Sequence, residues 1–187
     1  MSSIVLIRHG PVAVKASGLL SFQAFAAFIS AYEEAGIEAC ARPPAQLIPI
    51  LRRASRIYAS DAPRVTETLS RLGATADVVD ASFREAPPRA PRLPGQWPEI
   101  VWLALARARG AFDPALAPAR ADLRRRVRTC CDELREAALQ GDVALIGHGW
   151  FNRAVAKDLA AEGWRQTGPG FRRPWGHLAL SPPPGET

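Results

Sequence analysis

Two short apolar runs, Ile4-Val5-Leu6-Ile7 and Val143-Ala144-Leu145-Ile146, stand apart from the mixed pattern of the rest of the chain. A continuous apolar run this short is the mark of a strand covered on both faces. It predicts strands over residues 3–8 and 142–146, broken by Gly10-Pro11 and by Gly147-His148-Gly149. Between them the apolar period turns helical. Phe22, Phe25, Ala26, Phe28, Ile29 and Tyr32 predict a helix over 21–35 closed by Gly36, and residues 44–54 read as a second. A brief strand at 56–58 follows. Ser60 and Asp61 then offer cap oxygens to a helix that has Pro63 in its first turn and stops after Leu72 at Gly73.

A short strand at 77–79 leads into residues 86–98, where repeated proline forbids a regular helix or a central strand. Helices are expected over 100–108, from about 120 to 139, and over 151–161, with one more strand near 175–180. Strands alternating with helices predict an α/β sandwich with a mainly parallel sheet. No internal repeat interrupts the pattern, and 187 residues suit a single domain over 1–187.

Charge adds a constraint. The net charge is +6, and every basic residue except Lys15 and Lys157 is arginine. The arginines are dispersed apart from Arg124-Arg125-Arg126 with Arg128, which span more than one helical face, as a solvated surface does. Neither zinc-finger spacing nor an RNA-binding aromatic signature accompanies them, so the expected partner is a small anionic substrate and not nucleic acid. No apolar stretch approaches a membrane span, and the four-residue run before Arg8 is shorter than a secretory signal requires, which points to a soluble, cytoplasmic protein. Three cysteines, two of them adjacent (Cys40, Cys130, Cys131), make a poor disulfide framework and are expected to be buried and structural.

Candidate chemistry gathers at strand ends. Two of the three histidines, His9 and His148, directly follow the two strongest strands, where ligands bind in open α/β sheets. The glycines beside them allow sharp turns and close approach to a ligand. Either histidine alone fits a satisfied loop residue. Arg64 falls in the first turn of its helix, free to reach the same edge or to pair with Glu67 or Thr68 on the helix surface.

Taken together, Val5-Leu6-Ile7-Arg8-His9-Gly10, Ser60 to Arg64 with Thr68, and Gly147-His148-Gly149 resemble, in order and spacing, the three motifs of the histidine phosphatase superfamily. The resemblance spans residues 4 to about 155. It implies a three-layer α/β/α sandwich of the phosphoglycerate mutase-like kind and a phosphatase acting on phosphate monoesters. His9 would be the nucleophile, Arg8, Arg64 and His148 the phosphate ligands, and His148 also a catalytic residue that stabilises the transition state. Arginine suits the task because its planar fork can serve two phosphoryl oxygens. A histidine nucleophile must present a bare nitrogen, so the other ring nitrogen of His9 should donate to a backbone carbonyl.

The family's proton donor is a carboxylic acid between the second and third motifs. Glu85 occupies that place, although a loop carboxylate paired with Arg84 or Arg89 fits it as well, and Asp61 is the reserve. The chain departs from the family in following Glu85 with Ala86-Pro87-Pro88-Arg89, where many members have a Gly-x-x-Glu-Gly stretch. Pro11 and the short length favour a phosphatase over a mutase. A phosphomutase, or a binding domain that keeps the phosphate pocket without catalysis, are the alternatives. No metal or other cofactor is expected, because no closely spaced ligand set exists. His177 is expected to be structural. Trp97, Trp102, Trp150 and Phe151 are candidates to contact the organic part of the substrate, with core packing an equal reading for Trp102.

Overall fold

The computed structural model describes residues 2–184. A six-stranded sheet carries the fold. Strands β1 (Ile4–Arg8), β3 (Arg56–Ala59), β4 (Val78–Val79) and β6 (Val143–Gly147) run parallel in the order β4-β3-β6-β1. Two further strands, β8 (His177–Ser181) antiparallel to β1 and β7 (Arg165–Thr167) antiparallel to β8, extend the edge. A separate two-stranded pair joins β2 (Leu19–Leu20) to β5 (Trp97–Pro98).

Alternate residues of the central strands serve opposite faces. Ile4, Leu6, Tyr58, Val143 and Leu145 pack against α5 (Ala117–Ala138) and α6 (Gly149–Ala161), meeting Val127, Leu134, Val155 and Leu159. Val5, Ile7, Ile57, Ala59, Ala144 and Ile146 face α2 (Leu47–Arg53) and α3 (Pro63–Leu72) through Leu47, Leu51, Val65 and Leu69. The unbroken apolar runs in β1 and β6 follow from this double covering, since neither face of those strands meets water. The result is an α/β fold whose mostly parallel sheet lies between helical layers.

A third cluster lies outside the sheet. Helix α1 (Phe22–Glu34) and helix α4 (Glu99–Phe112) meet through Phe25, stacked on the fully buried Trp102 with ring centroids 5.6 Å apart. The indole nitrogen of Trp102 donates to the Leu20 carbonyl at 2.8 Å and ties α4 to β2, while Arg109 donates to Ala90 at 3.1 Å and ties the proline-rich segment to α4. Trp102 is therefore core.

Several sequence expectations need correction. The strand pair β2–β5 and the edge strand β7 fall outside the sequence expectations, being only two or three largely exposed residues each. Helices α4 and α5 extend beyond 100–108 and 120–139 at one or both ends. The N-cap of α3 is Ala62, so neither Ser60 nor Asp61 caps it through a side chain. Cys130 and Cys131 are buried but Cys40 is exposed. Phe151 sits in the core against Phe83 (centroids 6.5 Å apart) and not in a substrate pocket. No helix of the described residues is long and apolar enough to cross a membrane.

Candidate active site

Register brings the site together. Ile7 and Ile146 are partners across β1 and β6, and Ala59 pairs with Ile146 across β3 and β6. Two residues past the first pair stand His9 and His148; one residue past Ala59 stands Ser60. Three neighbouring parallel strands thus deliver these side chains to one edge of the sheet, the edge where such folds bind ligands. The two imidazoles lie edge to face with centroids 5.4 Å apart, both almost fully buried.

His9 is fixed from three directions. Its amide donates to Gly147 at 3.0 Å, its carbonyl accepts from Trp175 at 3.2 Å, and its Nδ1 lies 2.7 Å from the Gly10 carbonyl. A carbonyl can only accept, so Nδ1 carries the proton and Nε2 is left bare in the neutral ring. The Gly10 amide in turn donates to Thr68 Oγ1 at 2.9 Å, and that hydroxyl donates to the Arg64 carbonyl at 2.6 Å. Thr68 therefore ties the turn after β1 to the first turns of α3.

Burial holds the His9 pKa down at about 3, helped by the charges of Arg8 and Arg64 and opposed by the Gly10 carbonyl. Burial likewise brings His148 to about 2, reinforced by Arg64, His9 and Arg8. Both rings are neutral at physiological pH. His148 Nε2 is 3.0 Å from Ser60 Oγ, while its buried Nδ1 has no protein partner. The Ala62 amide donates to Ser60 Oγ at 3.4 Å, and the hydroxyl keeps both its hydrogen and a second lone pair for His148 Nε2. Nδ1 is therefore a donor when Ser60 donates to Nε2 and an acceptor when Nε2 donates to Ser60.

The arginine forks are used differently from the expectation. Arg64 is 1% exposed; its Nη1 donates to the Tyr32 and Glu33 carbonyls at the end of α1, both at 3.2 Å, and its Nη2 to the Glu33 carboxylate at 3.3 and 3.4 Å. Arg8 Nη1 donates to the Phe171 and Arg172 carbonyls at 3.0 and 3.2 Å. In both residues the buried Nε has no partner. Protein acceptors thus already occupy part of each fork, and each keeps an unspent Nε donor. Arg64 does not pair with Glu67, whose carboxylate instead accepts from the Ile37 amide at 2.8 Å.

The glycines act through space and not through backbone conformation, for none of Gly10, Gly147 and Gly149 has a positive φ. A Cβ on Gly10 would lie 2.6 Å from the Trp175 ring, and one on Gly149 would lie 3.3 Å from Arg8 Cδ and Nε. Sequence reading missed Trp175. It adopts a left-handed φ of 63° and seats its indole on Gly10, next to the carbonyl that orients His9. No composition or spacing signal marks such a residue; the strained conformation does.

Glu85 follows a 3-10 turn (Ala81–Phe83), and its Oε1 accepts from the Trp150 amide at 2.8 Å in the first turn of α6. Burial pushes its pKa up against the opposing pull of that hydrogen bond and of Arg8 and Arg64. It pairs with neither Arg84 nor Arg89. Asp61 instead holds Arg84 in a two-pronged ion pair at 2.5 and 3.0 Å. Trp150 is half exposed between the guanidiniums of Arg107 and Arg153, which lie 4.5 and 4.8 Å from its ring. His177 lies in β8, paired with Ile7. Among the described residues no group of three or more His, Cys, Asp or Glu side chains is arranged to hold a metal ion.

The family model of the histidine phosphatase superfamily (branch 1) matches residues 4–169. Similar solved structures include the product of a Mycobacterium tuberculosis open reading frame, Rv3214, at 17% identity and a TM-score of 0.66, covering 98% of this chain and 93% of that one. A phosphoserine phosphatase of Entamoeba histolytica in complex with 3-phosphoglyceric acid aligns at 13% identity and 0.59, covering 96% and 90%. A mycobacterial glucosyl-3-phosphoglycerate phosphatase in complex with VO3 aligns at 19% and 0.55, covering 97% and 93%. At these identities the likeness is one of fold. No curated protein sequence matches this chain significantly.

Proposed function

Because the chain belongs to the histidine phosphatase superfamily, we propose that it hydrolyses phosphate monoesters through a phosphohistidine on His9, within one domain spanning residues 1–187. One observation carries this reading: a bare imidazole nitrogen on His9 stands in the field of Arg8 and Arg64, each with a buried Nε donor that has no protein partner, and beside His148, whose buried Nδ1 is also unpartnered. Buried polar groups are almost always satisfied, so two unspent guanidinium donors beside one nucleophile call for an anionic ligand. A phosphoryl group supplies the missing oxygens.

In the first step His9 Nε2 attacks phosphorus, the nitrogen–phosphorus bond forms and the ester oxygen leaves. Glu85, kept protonated more readily by its burial, gives that oxygen its proton. In the second step water attacks phosphorus, Glu85 takes the proton back, the nitrogen–phosphorus bond breaks and inorganic phosphate departs. Splitting one displacement into two lowers each barrier. Negative charge is spread over the three non-bridging oxygens in both transition states, and donors fixed beforehand in a dry site stabilise it without reorganising. The carboxylate of Asp61 is engaged by Arg84, which supports Glu85 as the proton donor.

The substrate class we assign is a small phosphorylated metabolite, the class named for the two solved phosphatases of this fold. The free cysteines fit action in the reducing cytoplasm. The test is hydrolysis of p-nitrophenyl phosphate by the purified chain, read as inorganic phosphate without a bisphosphate activator. Loss of that activity in His9→Ala is expected. Full activity in His9→Ala removes the covalent mechanism, and turnover that needs a bisphosphate and conserves phosphate makes the chain a mutase.

A further inference from the structure

Four arginines on α5 resemble a solvated cluster, yet one of them turns inward. Arg124, Arg125 and Arg128 are exposed, whereas the Arg126 side chain is 19% exposed. Its Nη1 donates to two carbonyls at once, Ser82 and Arg84, both at 2.7 Å. Those carbonyls belong to the short segment that ends in Glu85, and the Arg84 carbonyl is in the peptide unit directly before it. Asp122, one helical turn earlier, accepts from Arg126 Nε at 3.0 Å, and the guanidinium carbon lies 5.7 Å from the Phe151 ring centroid in the first turn of α6.

The segment needs such a holder. After Phe83, which is buried against Tyr58, the chain enters irregular backbone, with an exposed Arg84 and then prolines at 87 and 88. Neither the Ser82 nor the Arg84 carbonyl takes part in a strand pairing. Arg126 supplies charged donors to both, and hydrogen bonds from a charged donor are about twice as strong as neutral ones. The same guanidinium reaches toward α6, whose Trp150 amide holds Glu85 Oε1. One residue of α5 thus spans the two elements between which the carboxyl is held.

We propose that Arg126 is a positioning residue for the proton donor, setting the place of Glu85 relative to the leaving oxygen without touching substrate. The proposal rests on Glu85 being that donor. In the phosphorylation step a misplaced acid harms only esters whose leaving group needs the proton, because a good leaving group departs as an anion. Displacement of about 1 Å is enough to cost on the order of a hundredfold in rate.

The experiment measures kcat/KM, which reports the phosphorylation step and not the shared hydrolysis of phosphohistidine, for phenyl phosphate and p-nitrophenyl phosphate with wild type, Glu85→Gln, Arg126→Met, Arg126→Lys and the Glu85→Gln/Arg126→Met double variant. Thermal midpoints and near-ultraviolet circular dichroism establish that each variant is folded. Arg126→Met is expected to slow phenyl phosphate roughly tenfold to a hundredfold and p-nitrophenyl phosphate less than about threefold. Arg126→Lys, which keeps a charged donor, should recover part of the loss. In the Glu85→Gln background the Arg126 change should have no further effect on phenyl phosphate. If Arg126→Met does not fold, Asp122→Asn, which weakens the hold on Arg126 Nε, is expected to show the same selectivity in milder form. Equal losses on both esters, or an Arg126→Met penalty that persists undiminished without the Glu85 carboxyl, overturn the proposal while leaving the Glu85 reading intact. If Glu85→Gln itself shows no leaving-group selectivity, the proton-donor reading falls and this proposal falls with it.

Discussion

Thr68 is the residue through which the nucleophile's turn is tied to the phosphate-binding helix. Replacing it with valine keeps shape and volume while removing one oxygen. In the native site that oxygen accepts from the Gly10 amide at 2.9 Å and its hydrogen goes to the Arg64 carbonyl at 2.6 Å, with Thr68 fully buried. The Arg64 carbonyl keeps its place in the helical ladder, but the Gly10 N–H loses its partner where water has little access. Stranding a buried donor costs about 1–3 kcal/mol. For a chain of this size each kcal/mol lowers Tm by about 2–4 °C, so a loss of about 2 kcal/mol gives a drop of roughly 4–8 °C.

Catalysis should suffer as well, because the Gly10 carbonyl that orients His9 Nδ1 belongs to the residue whose amide is released. If the same 1–3 kcal/mol is expressed in the transition state, kcat falls about fivefold to a hundredfold. Differential scanning fluorimetry and steady-state hydrolysis of p-nitrophenyl phosphate read the two effects. Thr68→Ser is the control: it keeps both hydrogen bonds and loses only a methyl. Thr68→Val with wild-type kcat and Tm, or Thr68→Ser as damaged as Thr68→Val, would refute the argument, the latter because packing and not the hydroxyl would then be responsible.

Further outcomes follow from the same geometry. The pKa values of His9 and His148, about 3 and about 2 in the folded chain against 6.5 unfolded, mean that the unfolded state binds more protons below pH 6.5. Their contribution to stability is therefore complete above pH 6.5 and is lost as pH falls toward 3, at about 1.4 kcal/mol per pH unit for each ring. Urea midpoints between pH 6.5 and 4 should decline more steeply for wild type than for His148→Asn, and equal slopes would contradict it. Arg64→Lys removes the Nε donor and the fork that holds the end of α1, so kcat/KM should drop on the order of a hundredfold, as when one preorganised donor is lost. Orthovanadate should also raise the Tm of that variant much less than it raises wild type. Gly10→Ala drives a methyl into the Trp175 ring and should cost about 1–3 kcal/mol in a denaturant titration. Trp150→Ala, at an exposed ring between two guanidiniums, should change KM for metabolite esters while Tm stays within about 2 °C of wild type.

How much of this was legible beforehand depended on how local the signal is. The apolar runs of β1 and β6 announced buried parallel strands, and their register then carried His9 and His148 to one edge. Helix α3 could be read from Pro63 and Gly73. By contrast β7 is three exposed polar residues and is defined only by its pairing with β8. Ser60 and Asp61 looked like caps because their oxygens are of capping type, yet the chain spends them on His148 and Arg84, partners distant in sequence. The same blindness hid Arg126, whose inward turn depends on two carbonyls more than 40 residues away. Arg8 and Arg64 were marked as anion ligands by type. That part of each fork is consumed by backbone carbonyls emerges only from the packing of α1 and of the 171–176 loop.

The central claim is that phosphorus becomes bonded to His9, and acid-labile phosphate on that residue is its most direct mark. The protein would be mixed with a phosphorylated substrate, quenched under denaturing alkaline conditions that preserve phosphohistidine, digested with trypsin and read by mass spectrometry. Phosphate on the peptide that begins at His9 and ends at Lys15, appearing before steady state and absent in His9→Ala, is the predicted result. Steady turnover with no phosphate on that peptide, or with phosphate on a cysteine or carboxylate peptide instead, would contradict the account.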